Sequence, residues 1–109
     1  MQTQQALYLS ESFAANMPRT LLIDDVRTMA VTKIARTFDA GMDALRNEAP
    51  WDVLYLDHDL GEFDERKTGY DILSWLENNP EFLPKEIILV TQNPVGKIKM
   101  RAVIKRLYG

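Results

Sequence analysis

The chain has no cysteine. A disulfide framework and a thiol nucleophile are therefore excluded. Histidine is nearly absent too, with His58 the single copy. No apolar stretch approaches the roughly 20 residues a membrane helix needs. The start, Met1-Gln2-Thr3-Gln4-Gln5, has neither the basic residues nor the apolar core of a secretory signal. There is no internal repeat and no low-complexity tract. These absences lead us to expect a soluble cytoplasmic protein with no membrane partner. Positive charge is scarce over most of the chain: residues 1–96 carry 8 basic and 16 acidic groups, whereas residues 97–109 carry 5 basic groups and no acid. With a net charge of -3, binding to duplex DNA is not expected. The basic final segment (Lys97, Lys99, Arg101, Lys105 and Arg106) can face solvent, or it can contact RNA or an acidic protein.

At 109 residues, with 46% hydrophobic and 27% charged residues, the chain suits one globular domain with a modest core. We expect an N-terminal extension over residues 1–18 and a single domain over 19–109. Leu7-Tyr8-Leu9 reads as a short edge strand, set off by Pro18. Core strands are expected at Thr20 to Asp24, Val31 to Phe38, Asp52 to Leu56 and Glu86 to Thr91. Helical spacing places Phe38, Met42, Leu45 and Ala49 on one face of a helix over 39–49, with Thr37 or Asp39 as its cap. A second helix over 69–79 turns Ile72, Leu73 and Leu76 inward and ends at Asn78-Asn79-Pro80. Gly61 to Thr68 is polar and reads as a loop. Pro94 opens a last helix, whose Met100, Val103, Ile104 and Leu107 follow i, i+3, i+4, i+7. Trp51 and Trp75 read as core or core-edge residues.

Alternating strands and helices predict a parallel sheet covered by helices. The connection from strand one to strand two is short for a parallel crossover, which usually takes a dozen or more residues. Antiparallel pairing is the obvious alternative. The helix after strand two argues against it, because Pro50 and Trp51 alone link that helix to strand three. The helix must run from the top of the sheet to the bottom. All four strands then end on one edge, with Asp24, Asp25, Asp57, His58, Asp59 and Thr91 together.

Acidic residues from neighbouring strand ends suit a hard cation, and Mg²⁺ or Mn²⁺ on Asp24, Asp25 and Asp57 is the expected cofactor. Such an ion attracts phosphate. Thr91 and Asn93 can donate hydrogen bonds to it, and Gly96 near a helix N-terminus offers another anion contact. Strand-end acids also simply cap loops and helices. His58 suits acid–base chemistry near neutral pH, or a structural bond to a carboxylate beside it. Arg27 can clamp a phosphate or offset the acidic cluster as an ion-pair partner.

The motifs Asp24-Asp25-x-Arg27, Leu56-Asp57-His58-Asp59-Leu60-Gly61, Thr68-Gly69-Tyr70-Asp71-Ile72-Leu73-x-Trp75-Leu76 and Asn93-Pro94-Val95-Gly96 carry a resemblance. Over roughly residues 20–105 the chain resembles the cyclic-phosphate-processing receiver-like domains of bacteria and phages, relatives of response-regulator receiver domains. The resemblance implies an α/β, flavodoxin-like three-layer fold with about four parallel strands. It also implies that the first receiver helix is missing and that the chain stops after the last helix. Asp24/Asp25, Asp57 and Thr91 match the receiver acidic pair, the aspartate after strand three and the hydroxyl residue after strand four. The implied activity is processing of cyclic phosphate ends of RNA or nucleotides by histidines, with His58, Asp57 and Thr91 as the catalytic candidates. The chain departs from the pattern at Val90-Thr91-Gln92, where the family typically has a second histidine and a serine. A two-histidine mechanism is therefore not available. The usual receiver lysine after a fifth strand is absent as well. The alternatives are a catalytically inactive scaffold that binds a host or partner protein through its basic last helix, and a stand-alone phosphoacceptor at Asp57.

Overall fold

The computed structural model describes residues 17–109. The edge strand expected at Leu7-Tyr8-Leu9 lies outside the described residues. Four strands, β1 (Thr20–Ile23), β2 (Lys33–Ala35), β3 (Val53–Leu56) and β4 (Glu86–Leu89), form one sheet in the order β2-β1-β3-β4. Every pairing is parallel, which resolves the β1–β2 question against a hairpin. Three helices, α1 (Phe38–Asn47), α2 (Gly69–Asn78) and α3 (Pro94–Tyr108), connect or follow the strands, and a 3-10 turn (Pro80–Phe82) leads into β4.

Side chains alternate across a strand. Leu21 and Ile23 of β1, Leu54 and Leu56 of β3 and Ile87 of β4 share a core with Met42 and Leu45 of α1, Ile72, Leu73 and Leu76 of α2, and Met100 and Val103 of α3. All three helices therefore bury their apolar stripes on one face of the sheet. Each fully buried leucine or isoleucine there stabilises the fold by roughly 1.5–3 kcal/mol relative to exposure. Trp51 is buried and its indole N–H donates to the Ala44 carbonyl at 2.9 Å. Arg19 lies over the Trp51 ring, 4.2 Å from its centroid. Trp75 stacks on Phe82 at the core edge, with ring centroids 5.3 Å apart.

The second strand is shorter than the expected Val31 to Phe38. Its far end is taken by α1, because the Thr37 hydroxyl caps the helix by accepting from the Ala40 N–H at 3.0 Å. Its near end is taken by loop bonds: the Thr32 N–H donates to the Thr20 hydroxyl at 2.9 Å, and the Thr20 N–H to the Thr32 hydroxyl at 3.0 Å. The crossover from β1 thus gains residues, and Arg36 holds it shut. Its guanidinium donates to the carbonyls of Asp24 (3.3 Å) and Arg27 (2.6 Å) and to the Thr28 hydroxyl (3.1 Å). One cation satisfies the carbonyls that a crossover helix would otherwise satisfy internally. Helix α1 stops at Asn47, so Ala49 stands outside it and is exposed rather than inward-facing. Strand β4 stops at Leu89, two residues before Thr91.

Candidate metal and phosphate site

All four strands run the same way, so their carboxyl ends meet on one edge, where ligand sites of open α/β sheets usually lie. Ligand oxygens of Asp24, Asp25 and Asp57 lie within 4.8 Å of one another. The three residues singled out in the sequence are therefore brought together.

The two strand-end acids differ in their partners. Asp24 is fully buried. Its Oδ1 accepts the backbone N–H groups of Val26 and Arg27, each at 3.0 Å, and its Oδ2 accepts the Arg27 guanidinium at 2.5 Å. Burial pushes this carboxyl up, but the Arg27 and Val26 N–H bonds and the Arg27 charge outweigh it and hold it below the usual range. Arg27 thus serves here as an ion-pair partner, the second of its two expected roles. Asp57 has less support. It accepts the His58 N–H at 2.8 Å, and the neighbouring Thr91 hydroxyl also favours its charged form. Burial pushes its carboxyl up, the negative charge of Asp24 adds to this, and these partners do not offset the rise. Thr91 is itself buried, and its oxygen also accepts the Asn93 N–H at 3.0 Å. Its hydroxyl lies beside Asp57 rather than facing solvent.

Asp25 sits under the loop that follows β3. Gly61 adopts φ +69, and a Cβ there would come within 2.9 Å of Asp25 Oδ2. Only glycine takes that conformation at no cost while letting the backbone pass so close to the carboxylate.

His58 is held from two sides. Its Nδ1 lies 2.9 Å from Asp59 Oδ1. The ring packs on α3 at Gly96, where a Cβ would meet Cδ2 and Cγ at 2.6 Å. With Nδ1–H donating to Asp59, the Asn93 amide bonds Asp59 Oδ2, 3.4 Å away, because the protonated Nδ1 at 3.5 Å cannot accept from it. Nε2 is then the nitrogen left to accept a proton. The expected anion contact at Gly96 is not what this residue provides: its N–H donates to Asn93 Oδ1 at 3.0 Å, capping α3. Gly96 supplies room for the imidazole. Asn93 likewise spends its side chain on that cap and on Asp59. Gly69 packs the other flank. Its N–H donates to the His58 carbonyl at 2.8 Å, and a Cβ would sit 1.9 Å from the Asp57 carbonyl oxygen.

Beside the trio runs a half-open groove of about 410 Å³, lined among others by His58, Asp59, Glu62, Asp64, Glu65 and Lys67. Its acids outnumber its one lysine, so a bare phosphate would be repelled unless a cation stands at its mouth. Of the expected basic residues of α3, Lys97 is half-buried in the first turn, directly after Gly96. Arg106 is bound to Glu77 at 2.8 Å and 3.1 Å, while Lys99, Arg101 and Lys105 are exposed. The bond from His58 to a neighbouring carboxylate, here Asp59, is the structural role expected from the sequence. Sequence reasoning missed Arg36 as an organiser, because its role depends on carbonyls brought near by folding.

The fold and the strand-end acidic site define a receiver-like α/β domain. Residues 19–106 match the family model described as the cyclic-phosphate processing receiver domain, and the chain belongs to that family. Among curated proteins, none matches it. A solved structure described as a yeast Spc42 trimeric coiled coil, amino acids 181–211, fused to another structure, is similar in fold, with a TM-score of 0.61 and 19% identity. The match covers 81% of this chain and 61% of that one, so this chain spans less than two thirds of that structure's length. None of the described helices is long and apolar enough to cross a membrane.

Proposed function

We propose that this domain opens cyclic phosphate ends of RNA or nucleotides, with His58 as its proton-transfer group and a divalent cation at the acidic trio. The observation that supports this best is the fixed imidazole. Asp59 on Nδ1 and Gly96 against the ring leave Nε2 free to take a proton, one residue from Asp57. Nε2 removes a proton from water as the water oxygen bonds to phosphorus. One ring P–O bond breaks, and the departing ribose oxygen takes its proton from solvent, since no second histidine is present to give one. Water is thereby added across the bond, leaving a phosphate monoester and a free hydroxyl.

The donor set suits Mg²⁺ or Mn²⁺. It is all carboxylate oxygen, and Asp57 bears a charge that its protein partners do not neutralise. Asp24, Asp25 and Asp57 would hold the ion, which would supply Lewis-acid neutralisation of phosphate charge. Arg27 competes for Asp24 Oδ2, so the firmer ligands are Asp25 and Asp57. The test is hydrolysis of 2′,3′-cyclic nucleotides and cyclic-phosphate RNA ends with Mg²⁺ or Mn²⁺, beside His58→Ala. Turnover that His58→Ala abolishes supports the reading. No turnover, together with no metal-dependent shift in melting temperature, sinks it.

A second reading, a partner-binding scaffold, draws on α3. Val95 and Ile98 are 62% and 71% exposed there, on the helix that carries the exposed Lys99, Arg101 and Lys105. An apolar stripe edged with cations suits an acidic amphipathic protein segment. Neutralising these cations would abolish capture of such a partner; unchanged binding would count against the helix. Phosphotransfer to Asp57 is a third reading, tested by labelling with acetyl phosphate.

A further inference from the structure

Two flanks of the Asp57-His58 segment are closed by helices. Gly96 of α3 lies against Cδ2 and Cγ of the imidazole, and Gly69 of α2 lies against the Asp57 carbonyl. The groove of about 410 Å³ borders His58 and Asp59, and Glu62, Asp64, Glu65 and Lys67 line it from the loop that follows β3. Gly61 lines it as well and passes close to the trio, since a Cβ there would stand 2.9 Å from Asp25 Oδ2. The groove thus touches both the histidine and the acidic edge. A reactant whose phosphate sits between them has this groove for the rest of its body. Its volume is near the lower end of small-molecule pockets, roughly 300–1,000 Å³, which suits one nucleoside. Its charge is one-sided. Asp59, Glu62, Asp64 and Glu65 face a single ammonium, and Lys67 Nζ already lies 3.3 Å from Asp39 Oδ2. Arg66 stands outside the lining, where its exposed guanidinium donates to Asp64 at 3.3 Å. Glu62 gives one oxygen to the Phe38 N–H at 3.2 Å, and Glu65 is exposed. Such a wall accepts hydrogen bonds and repels anions.

Resting on the hydrolysis proposed above, we infer that the substrate carries a single phosphate. It is a nucleoside 2′,3′-cyclic monophosphate with a free 5′ hydroxyl, and not the cyclic end of an RNA chain. At an RNA end the terminal nucleoside bears the next phosphodiester on its 5′ oxygen. That second phosphate would have to enter a groove walled by Glu62, Asp64 and Glu65, with Lys67 as its one lining cation. A cation at the trio serves the reacting phosphate and leaves the second one opposed. A ribose 5′ hydroxyl or a base amino group is a donor, and carboxylates accept from it. The groove acids therefore set specificity twice over, by repelling the longer substrate and by bonding the shorter one.

The test compares three substrates on the full chain with Mg²⁺ or Mn²⁺. They are a nucleoside 2′,3′-cyclic monophosphate, the same molecule with a 5′-phosphate, and a dinucleotide ending in the cyclic phosphate. At low salt, kcat/KM for the first should exceed that for either of the others by about tenfold or more, and the gap should narrow as ionic strength rises. Asp64→Asn with Glu65→Gln should narrow the same gap by favouring the two more highly charged substrates. If that variant does not fold, the salt dependence of the wild type still decides. Equal kcat/KM for all three, or a preference for the dinucleotide, overturns the inference and leaves the hydrolysis reading standing. A preference that neither salt nor the double variant alters overturns the role of the groove acids. No turnover of any of the three overturns the hydrolysis reading and this inference with it.

Discussion

Asp24 and Asp57 end neighbouring strands and share one candidate site, yet they contribute oppositely to the fold. Asp24 is buried among two backbone donors and an arginine, and its charge is part of what closes the β1–β2 crossover. Asp57 is desolvated beside that same negative charge with weaker compensation. The first is a structural acid in a functional position. The second is an acid kept charged at a cost to stability, as expected of a group that awaits a cation or a proton.

The largest test of this contrast is Asp24→Ala. Removing it leaves Arg27 without its partner and two backbone N–H groups without an acceptor. A loss of about 3 kcal/mol is expected in urea unfolding. A loss below about 1 kcal/mol would make Asp24 as dispensable as a surface acid. Next is Gly96→Ala, which drives a methyl group into the imidazole. The His58 ring signals should move and stability should fall by about 2 kcal/mol. Unmoved ring signals would show that α3 does not seat His58. Asp57→Asn should act the other way, raising the melting temperature at pH 7 by about 3 °C while abolishing any stabilisation by Mg²⁺ or Mn²⁺. A destabilised Asp57→Asn would erase the contrast with Asp24.

The smallest effect is on pH dependence. The folded pKa of Asp24 lies below its ordinary value of 3.8, so its contribution is present above 3.8 and is lost as pH falls through the folded value. The folded pKa of Asp57 lies above 3.8, so the protonated form favours folding and the cost of its charge grows as pH rises through that raised value. The stability gain of Asp57→Asn should therefore vanish below about pH 3.8. A gain that persists at acid pH would assign the effect to packing instead of charge.

Most of the architecture was legible because its signals are local. Apolar runs such as Leu21-Leu22-Ile23, the Thr37 cap, and Pro94 at a helix start act through neighbours in sequence. The short link around Pro50-Trp51, residues 48–52 in the folded chain, indicated the sense of β2. Strand ends were less legible, because at β2 hydroxyls and a helix cap compete for backbone groups that alternation alone would assign to the ladder. Within the site, residue types and positions could be read, but the allocation of partners could not. Whether Arg27 meets phosphate or Asp24, and whether Gly96 offers a donor or a space, depends on distances that only the folded chain sets.

Gly69 and Gly96 press on the segment Asp57-His58 from two different helices. The direction in which Nε2 points is therefore not a property of the β3 loop alone. It is a readout of how α2 and α3 dock against each other. A ligand or protein that leans on the exposed side of α3 would pivot the imidazole like a needle on a gauge, without touching the acidic edge itself.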